Sequence, residues 1–506
     1  MQHPPISIQR QVFCFAAVAA LSATPLSAQS LVAYGDGTPG TGGVTPFLWA
    51  SSTPRPGNSG FGLTVDRGRP GSAAIGFLSL AKSQLNLGGV EVLIDFNSSL
   101  QLPFVTLNSA GKASYSLPLP GSSSILGAQV FQQVFVADPG GAALGFSATQ
   151  GLDLTVVNFG MLFATRSTGS ASPQVAINLD TGAQSSVTQA SMTNAQIPGM
   201  YPGNRDYSLV GSGRSNKVAM FDCRVFPPKF MTEFPSSGTP WCVTWHPDGN
   251  RAYVVNQTSS TGTAEVEVVW ALPGLPTVGN PYPGGNIPLG PIKDAMRMVF
   301  PGTGEVGLLS TLGLFGAGGE LRKYDTKVSS PTYHQLLASY KTNGQYHWDM
   351  CQVDEDTIAI AVGRLAAALH IELIDINTMQ RKASFGPAGF GAVVRGLVVD
   401  PRGRYLYVGN NPASRLNVAA GLLRIHIDPS GPTYGQIDNI NAGFSATWGC
   451  YDVEVSDAGD RLYALIGTGI QTNFVGQIVE YDTDTLAITR TWNMNRIGNT
   501  YNLAIR

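Results

Sequence analysis

Seven polar side chains of mixed charge lie in the C-terminal part of the sequence where apolar segments begin: Lys293, Asp294, Arg297, His347, Asp349, Arg395 and Asp452. Carboxylates beside a histidine and arginines have the chemistry to bind a polar small molecule. They can also activate water on a lactone, with His347 or an aspartate as the base and Arg395 polarising the carbonyl. The alternative is that all seven are solvated residues without a site.

Other motifs that carry chemistry are missing from the sequence. It has no His-Glu-x-x-His, no histidine pair at ligand spacing and no Gly-x-Ser-x-Gly elbow, so we predict no metal site, no cofactor and no α/β-hydrolase site. The spacing of Gly35, Gly37 and Gly40 matches the Gly-x-Gly-x-x-Gly pattern of dinucleotide-binding loops. Pro39 and a Thr-Gly-Gly sequence stand where that pattern needs a helix to begin, so we predict no nucleotide site.

Composition narrows the fold class and the partners. Charged residues make up 13% of the chain, about half the usual fraction of roughly 25%, and 60 residues are glycine. Such a sequence is typical of a turn-rich β protein and excludes a long helical bundle. The net charge is −2 and there is no basic block, so we predict no binding of nucleic acid.

The seven polar residues belong to an internal repeat. A turn followed by an apolar strand occurs clearly at Asp248–Asn256 and Pro401–Asn410, and more weakly near residues 202–210 and 458–465. A β run ending in aspartate recurs at intervals of roughly 40–55 residues, which indicates four strands per unit. Its members are Asp180, Asp222, Asp325, Asp375, Asp428 and Asp482, with a degenerate copy near Trp270. Residues 158–506 are therefore predicted to form a seven-bladed β-propeller, with each aspartate acting as a turn former.

The end of the sequence predicts how the ring closes. Residues Asn502–Arg506 read as one more innermost strand, whereas the first unit, which begins at Gly160, lacks such a strand. We expect the C-terminal strand to complete the first blade, because this pairing removes free sheet edges. The innermost strands then place the seven polar residues around one mouth of the central channel.

The repeat resembles a known family. Tyr253–Asn256 and Tyr407–Asn410, each after a turn that contains glycine, are similar to the repeat of YVTN-type, lactonase-like seven-bladed propellers. This resemblance covers residues 158–506 and implies the propeller fold. The superfamily includes lactone hydrolases, surface-layer proteins and many binding proteins, so the resemblance implies no single activity.

Residues 29–157 form a separate block that is rich in Gly, Ser, Pro and Leu and poor in charge. Short alternating runs between turn clusters predict a β-sandwich. The opening Tyr34–Gly43 and the closing Gly151–Val157 resemble a secreted β-sandwich module of large extracellular bacterial proteins, and that resemblance implies no activity. Thr38 stands where the module often has a cysteine, so we expect no disulfide there.

Residues 1–28 have the pattern of a secretory signal peptide, with Arg10, the apolar run Val12–Leu21 and a small-residue site at Ala28. We expect an exported protein in the periplasm, at the cell surface or secreted, with no transmembrane segment after cleavage. Four cysteines remain after cleavage. They are buried free thiols on one interpretation, and two disulfides on the other.

The sequence therefore predicts an exported, non-enzymatic binding or scaffold protein. Its propeller and sandwich surfaces are expected to contact a protein or glycan, or its propeller a polar small molecule. The alternative is a lactonase-like hydrolase that acts on a small lactone at the channel mouth.

Overall fold

The structure is a computed structural model in which the chain divides into two compact units, one up to Phe159 and one from Gly160. The residues that it describes are 31–142, 144–157, 160–166, 174–187, 192, 195–200, 205–257, 264–271, 273, 277–289, 295–312, 319–341, 346–363, 370–386, 393–411, 421–440, 448–468, 476–494 and 500–505. Strands dominate both units, which confirms the all-β fold class.

The first unit is a β-sandwich built from three sheets. The largest sheet has the order Leu31–Tyr34, Gly151–Thr155, Gln129–Ala137, Ala73–Ser79 and Ser99–Gln101, with Phe146–Ala148 and Val105–Thr106 alongside. The second sheet contains Phe47–Ala50, Gly62–Asp66 and Ala113–Ser116, and the third is the hairpin Lys82–Leu87 and Val90–Ile94. Single 3₁₀ turns are formed by Thr41–Gly43, Phe96–Ser98 and Ser123–Ile125.

Buried glutamines join the sheets of the sandwich. The strand Gln129–Ala137 has hardly any exposed residue, so its polar side chains must find partners inside. Gln133 accepts a hydrogen bond from the N–H of Leu93 and donates to the carbonyls of Glu91 and Thr149. The side chain of Gln150 accepts from the N–H of Leu48 in the second sheet and donates to the carbonyl of the same residue.

The second unit is a seven-bladed β-propeller of four-stranded antiparallel sheets. We number the blades 1–7 and give the strands of each from the innermost outward. They are Thr500–Ile505, Met161–Arg166, Gln174–Asn178 and Gln184–Val187 in blade 1; Gly199–Met200, Tyr207–Ser212, Lys217–Asp222 and Lys229–Pro235 in blade 2; Thr239–Trp245, Arg251–Gln257, Glu265–Trp270 and Ile287–Pro288 in blade 3; Ala295–Val299, Val306–Thr311, Glu320–Asp325 and Leu336–Lys341 in blade 4; Tyr346–Asp354, Thr357–Gly363, His370–Asp375 and Gln380–Phe385 in blade 5; Val393–Val399, Tyr405–Asn411, Gly421–His426 and Ile437–Ile440 in blade 6; and Trp448–Val455, Arg461–Thr468, Gly476–Asp482 and Ile488–Met494 in blade 7.

The two ends of the propeller sequence meet in blade 1. The last strand, Thr500–Ile505, pairs antiparallel with Met161–Arg166, and its Leu503, Ala504 and Ile505 are buried. Blade 7 also contacts blade 1 directly, since Arg490 donates to the carbonyl of Leu179. Neighbouring innermost strands contact each other all around the ring. The sheets therefore support one another in a closed circle.

Turns between strands are stabilised by side-chain oxygens, as the repeated aspartates predict. Asp375 and Asp482, for example, each accept the N–H groups two and three residues further on. Blade 1 differs, because Asn178 accepts there from the N–H groups of Asp180 and Thr181. Asn178 therefore stabilises the turn of this blade, and the assignment of that role to Asp180 stays a prediction.

Blades 6 and 7 are joined by an ionic network that we call the turn clamp, formed by the buried Asp400 and Arg402, the half-buried Arg404 and the exposed Asp484. Arg402 donates from its remaining nitrogen to Thr483 and to the carbonyl of Gly459. Thr483 donates to the same carbonyl at 2.5 Å. An equivalent junction joins blades 3 and 4, where the carbonyl of Gly304 bonds with His246 and with Thr326.

A β-bulge recurs at one place in the innermost strands. Two residues oppose one in the described pairings of blade 1 and of blades 3–7, and the bulges lie at Tyr501, Trp241, Met296, Trp348–Asp349, Arg395 and Tyr451. A bulge interrupts strand alternation and re-aims the side chains beside it. These bulges decide which side chains face the propeller axis.

Candidate functional site

The innermost strands enclose a cavity of about 290 Å³. Its walls are mixed polar and apolar and come from several blades, with Met296, Leu312, Val394, Leu397 and Leu503 among the apolar lining residues. Polar groups enter this wall at or beside the bulges. The charged lining side chains in the described part of the chain are Arg297, Asp349, Asp452 and Glu454.

Arg297 and Asp349 form an ion pair across blades 4 and 5. The guanidinium donates to Asp349 Oδ1 at 2.5 Å, and the same oxygen accepts the N–H of Met350 at 2.8 Å. Burial raises the pKa of the Asp349 carboxyl despite the opposing effect of Arg297. Burial lowers the pKa of Arg297, but the Asp349 carboxylate outweighs it and the pKa is raised overall.

Asp452 connects blade 7 with the closing strand of blade 1. Its Oδ1 accepts the N–H of Val453 at 2.9 Å, and its Oδ2 accepts the N–H of Leu503 at 2.6 Å. Burial, together with the nearby carboxyls of Glu454 and Asp349, raises the pKa of Asp452 well above its usual range. Both oxygens therefore hold backbone, and the carboxyl favours its protonated form.

Glu454 is the carboxyl of the cavity that is least constrained. No residue in the described ranges donates a hydrogen bond to it, although it lines the same wall as Asp452. Burial raises the pKa of Glu454 to about 7, and the guanidinium groups of Arg297 and Arg205 oppose that rise. This carboxyl therefore changes charge near neutral pH.

Two polar atoms at the cavity wall have no hydrogen-bond partner among the described residues, namely Asp349 Oδ2 and Trp241 Nε1. The N–H of Leu397 also acts on the Asp349 carboxylate, but it does not reach hydrogen-bond geometry with Oδ2. Buried polar groups nearly always have a partner in the protein, in ordered water or in a ligand. The residues that line the cavity therefore include one buried acceptor atom and one buried donor atom without a partner in the described structure.

The structure brings together three of the seven residues singled out in the sequence, Arg297, Asp349 and Asp452. Lys293 and Asp294 lie outside the described residues, and Arg395 is described only by its backbone. His347 is fully buried but is not among the residues that line the cavity. Burial lowers its pKa to about 4, and the acidic groups acting on it are Glu320 and Glu372 of blades 4 and 5.

Glu454 was not singled out in the sequence, although a signal for it exists. It stands two residues after Asp452, and the pairing from Asp452 to Val455 is regular. Alternate residues of a regular strand lie on the same face. Once Asp452 is known to line the cavity, the alternation of the strand predicts that Glu454 lines it too.

Nothing in the described part of the chain indicates a metal centre. No three His, Cys, Asp or Glu residues there are arranged to hold an ion. The four cysteines Cys223, Cys242, Cys351 and Cys450 are free thiols, which decides the alternative that the sequence left open. The described ranges also contain no helix with the length and apolarity needed to cross a membrane.

Comparisons with known proteins show similarity only among solved structures. No family model and no curated protein matches the chain. The “putative 6-phosphogluconolactonase” of Bacteroides fragilis NCTC 9343 is 16% identical, with 69% of this chain and 98% of that chain covered and a TM-score of 0.49. Hydrazine synthase of Kuenenia stuttgartiensis is 12% identical, with 72% and 93% covered and a TM-score of 0.47. At these identities neither similarity carries an activity over to this chain.

Proposed function

We propose that this chain is an exported binding protein that holds a polar small molecule in the central cavity of its propeller and does not hydrolyse it. The observation that carries the proposal is the central cavity, whose lining residues Asp349 and Trp241 each have a polar atom without a partner in the described structure. The signal-peptide pattern of residues 1–28 supports export.

The geometry disfavours the hydrolase alternative in its first form. Asp452 uses both oxygens to hold backbone, and Asp349 uses one oxygen to hold Arg297. His347, the other candidate base, does not line the cavity. A general base must reach the proton that it abstracts. A lactonase activity would therefore have to depend on Glu454, whose pKa of about 7 suits a base.

A paired binding and turnover experiment on the complete chain tests the proposal. We expect no turnover of a panel of sugar lactones, and a raised melting temperature with at least one compound of a polar small-molecule collection. Leu312→Trp and Val394→Phe fill the cavity from two different walls and should each abolish that shift. Turnover that is lost in Glu454→Gln would establish the hydrolase instead, and a collection without any cavity-dependent binder would refute the binding function.

Contact with a protein or glycan is a separate part of the proposal and concerns the sandwich. Its surface carries large apolar side chains in exposed positions, including Leu85, Phe104 and Leu144. Exposed side chains of this size and apolarity are candidate contacts for a partner. The complete chain should bind ligands on a glycan array, and Phe104→Ser should weaken that binding. An array without signal would remove glycan recognition from the proposal.

A further inference from the structure

The charged groups at the cavity wall are unbalanced. Three carboxyls, those of Asp349, Asp452 and Glu454, face one guanidinium, that of Arg297, among the charged lining residues that the structure describes. Arg205 also acts on Glu454, but its guanidinium forms an ion pair with Asp457 at 2.9 Å. Because Asp349 is paired with Arg297 and Asp452 favours its protonated form, the unpaired negative charge of the site is that of Glu454 once it ionises, and it favours a cation over an anion.

The free polar atoms set a second condition on the ligand. Asp349 is 3% exposed, and its Oδ2 is an acceptor without a partner in the described structure, so a ligand N–H or O–H suits it. Trp241 Nε1 is a donor only, so it requires an acceptor on the ligand. A protonated amine that also carries a hydroxyl satisfies both atoms.

The size and the walls of the site select among cations. The described His, Cys, Asp and Glu residues do not gather around a point as metal ligands do. A volume of about 290 Å³ lies near the lower end of small-molecule pockets, which span roughly 300–1,000 Å³. Apolar side chains such as Val394, Leu397 and Leu503 suit a short alkyl chain.

We infer that the central cavity binds a small hydroxylated amine in its cationic form. The ammonium group lies against Asp349 Oδ2 and Glu454, the hydroxyl accepts from Trp241 Nε1, and the alkyl chain contacts the apolar wall. This inference rests on the proposed function, because it names the class of ligand that the cavity binds.

Protons compete with such a ligand. Glu454 faces Arg297 of blade 4, Asp349 and Cys351 of blade 5, Arg205 beside blade 2, and Asp452 and Asp457 of its own blade. Its pKa of about 7 means that the empty cavity holds a proton there at mildly acidic pH. Alkylamines stay protonated until about pH 10, so a cation replaces that proton more readily as the pH rises.

Isothermal titration of the complete chain with three probes of equal size tests the inference: 5-aminopentan-1-ol, hexan-1-ol and hexylamine. The amino alcohol should bind at least about tenfold more tightly than hexan-1-ol, because a charge-assisted hydrogen bond is stronger than a neutral one. Its affinity should rise about tenfold from pH 6 to pH 8, as Glu454 ionises.

Three variants separate the contributions of the wall. Glu454→Gln should remove the pH dependence, whereas Glu305→Gln, an exposed position outside the cavity, should leave it unchanged. Trp241→Phe keeps an aromatic ring but removes the free donor. It should lower the affinity for the amino alcohol to that for hexylamine and leave hexylamine itself unaffected.

The outcomes distinguish this inference from the proposed function. If hexan-1-ol binds as tightly as the amino alcohol, or if only neutral or anionic compounds of the wider collection bind, the ligand class is wrong and the binding function stands. If no compound binds in a cavity-dependent way, both fail. A pH dependence that persists in Glu454→Gln also contradicts the inference.

Discussion

Buried carboxylates occur in two different surroundings in the propeller, at the turn clamp between blades 6 and 7 and around the central cavity. In the turn clamp two carboxylates meet two guanidinium groups, and Asp400 is completely buried. Arg402 uses Nε for Asp400, Nη1 for Asp484 and Nη2 for Thr483 and the carbonyl of Gly459. Charge and hydrogen bonds are both balanced there.

Around the cavity the described charged groups are unequal in number, and one carboxylate oxygen lacks a hydrogen bond within the described ranges. Arg297 is the described guanidinium at the wall beside three carboxyls, and Asp349 Oδ2 has no partner in the described structure. The carboxyls respond by favouring their protonated forms, as the raised pKa values of Asp452 and Glu454 show. Burial alone therefore does not mark a site. A buried polar network that is left incomplete by the protein is the better indication.

The largest effect is expected when the balanced network is broken. Arg402→Met should lower the free energy of unfolding by about 3 kcal/mol, because it removes one of the two guanidinium groups paired with the fully buried Asp400 and leaves Asp400 Oδ1 without a charged partner. Urea denaturation measures the change. The same substitution at Arg381, which is more than half exposed beside Glu372, should cost under about 1 kcal/mol. Equal effects at the two positions would mean that the turn clamp is not a structural junction.

A loss of stability no greater than that is expected when Gly459, whose carbonyl accepts a hydrogen bond from Arg402 of the turn clamp, is replaced by alanine. Gly459 and Gly403 have nearly equal positive φ values, 68° and 67°. A Cβ at Gly459 would lie 2.5 Å from Asp400 Oδ1, whereas a Cβ at Gly403 meets nothing within 4 Å. Gly459→Ala should therefore cost about 3 kcal/mol and Gly403→Ala about 1 kcal/mol. Thermal unfolding of the two variants compares them, and equal costs would exclude the steric contact.

The smallest effect is an increase in stability, and it is expected from a substitution at the cavity. The pKa of Glu454 is about 7 in the folded chain against 4.5 as its ordinary value. The stability that its proton contributes is complete below about pH 4.5 and is lost as the pH rises through 7. Glu454→Gln should therefore stabilise the protein by roughly 1–2 kcal/mol at pH 8, since a partly exposed group has less effect than a sealed one. Melting temperatures at pH 5 and pH 8 measure it, and a destabilised variant at pH 8 would contradict the unbalanced cavity.

The sequence predicted the all-β fold and the propeller because those features depend on local patterns. Turns with glycine and aspartate, followed by apolar strands, recur in nearly every unit, and each unit needs its neighbours to cover its faces. Blade 1 shows the limit of such patterns. Asn178, two residues before Asp180, forms the same hydrogen bonds, and side-chain oxygens of the two residue types are equivalent in a turn.

The site was predictable only in part, and the bulges explain why. Asp349 stands two positions after His347, so a regular strand would place both on one face. The bulge at Trp348–Asp349 interrupts the alternation, and of the two only Asp349 lines the cavity. No signal in a single sequence places a bulge. The pKa shifts could not be predicted from the sequence either, because they depend on burial by blades that lie far apart in the chain.

The recurring bulge has a consequence for how this scaffold can change. It places positions at and next to the bulges around the axis, and these positions hold residues as different as Trp241, Arg297, Asp349 and Asn502. The blades behind them are held together by separate contacts, such as those of the turn clamp. A substitution at a position whose side chain has no hydrogen bond or ion pair between blades in the described structure, such as Trp241, therefore alters the chemistry of the cavity with little effect on the ring. The propeller is thus open to acquiring new ligand preferences one blade at a time.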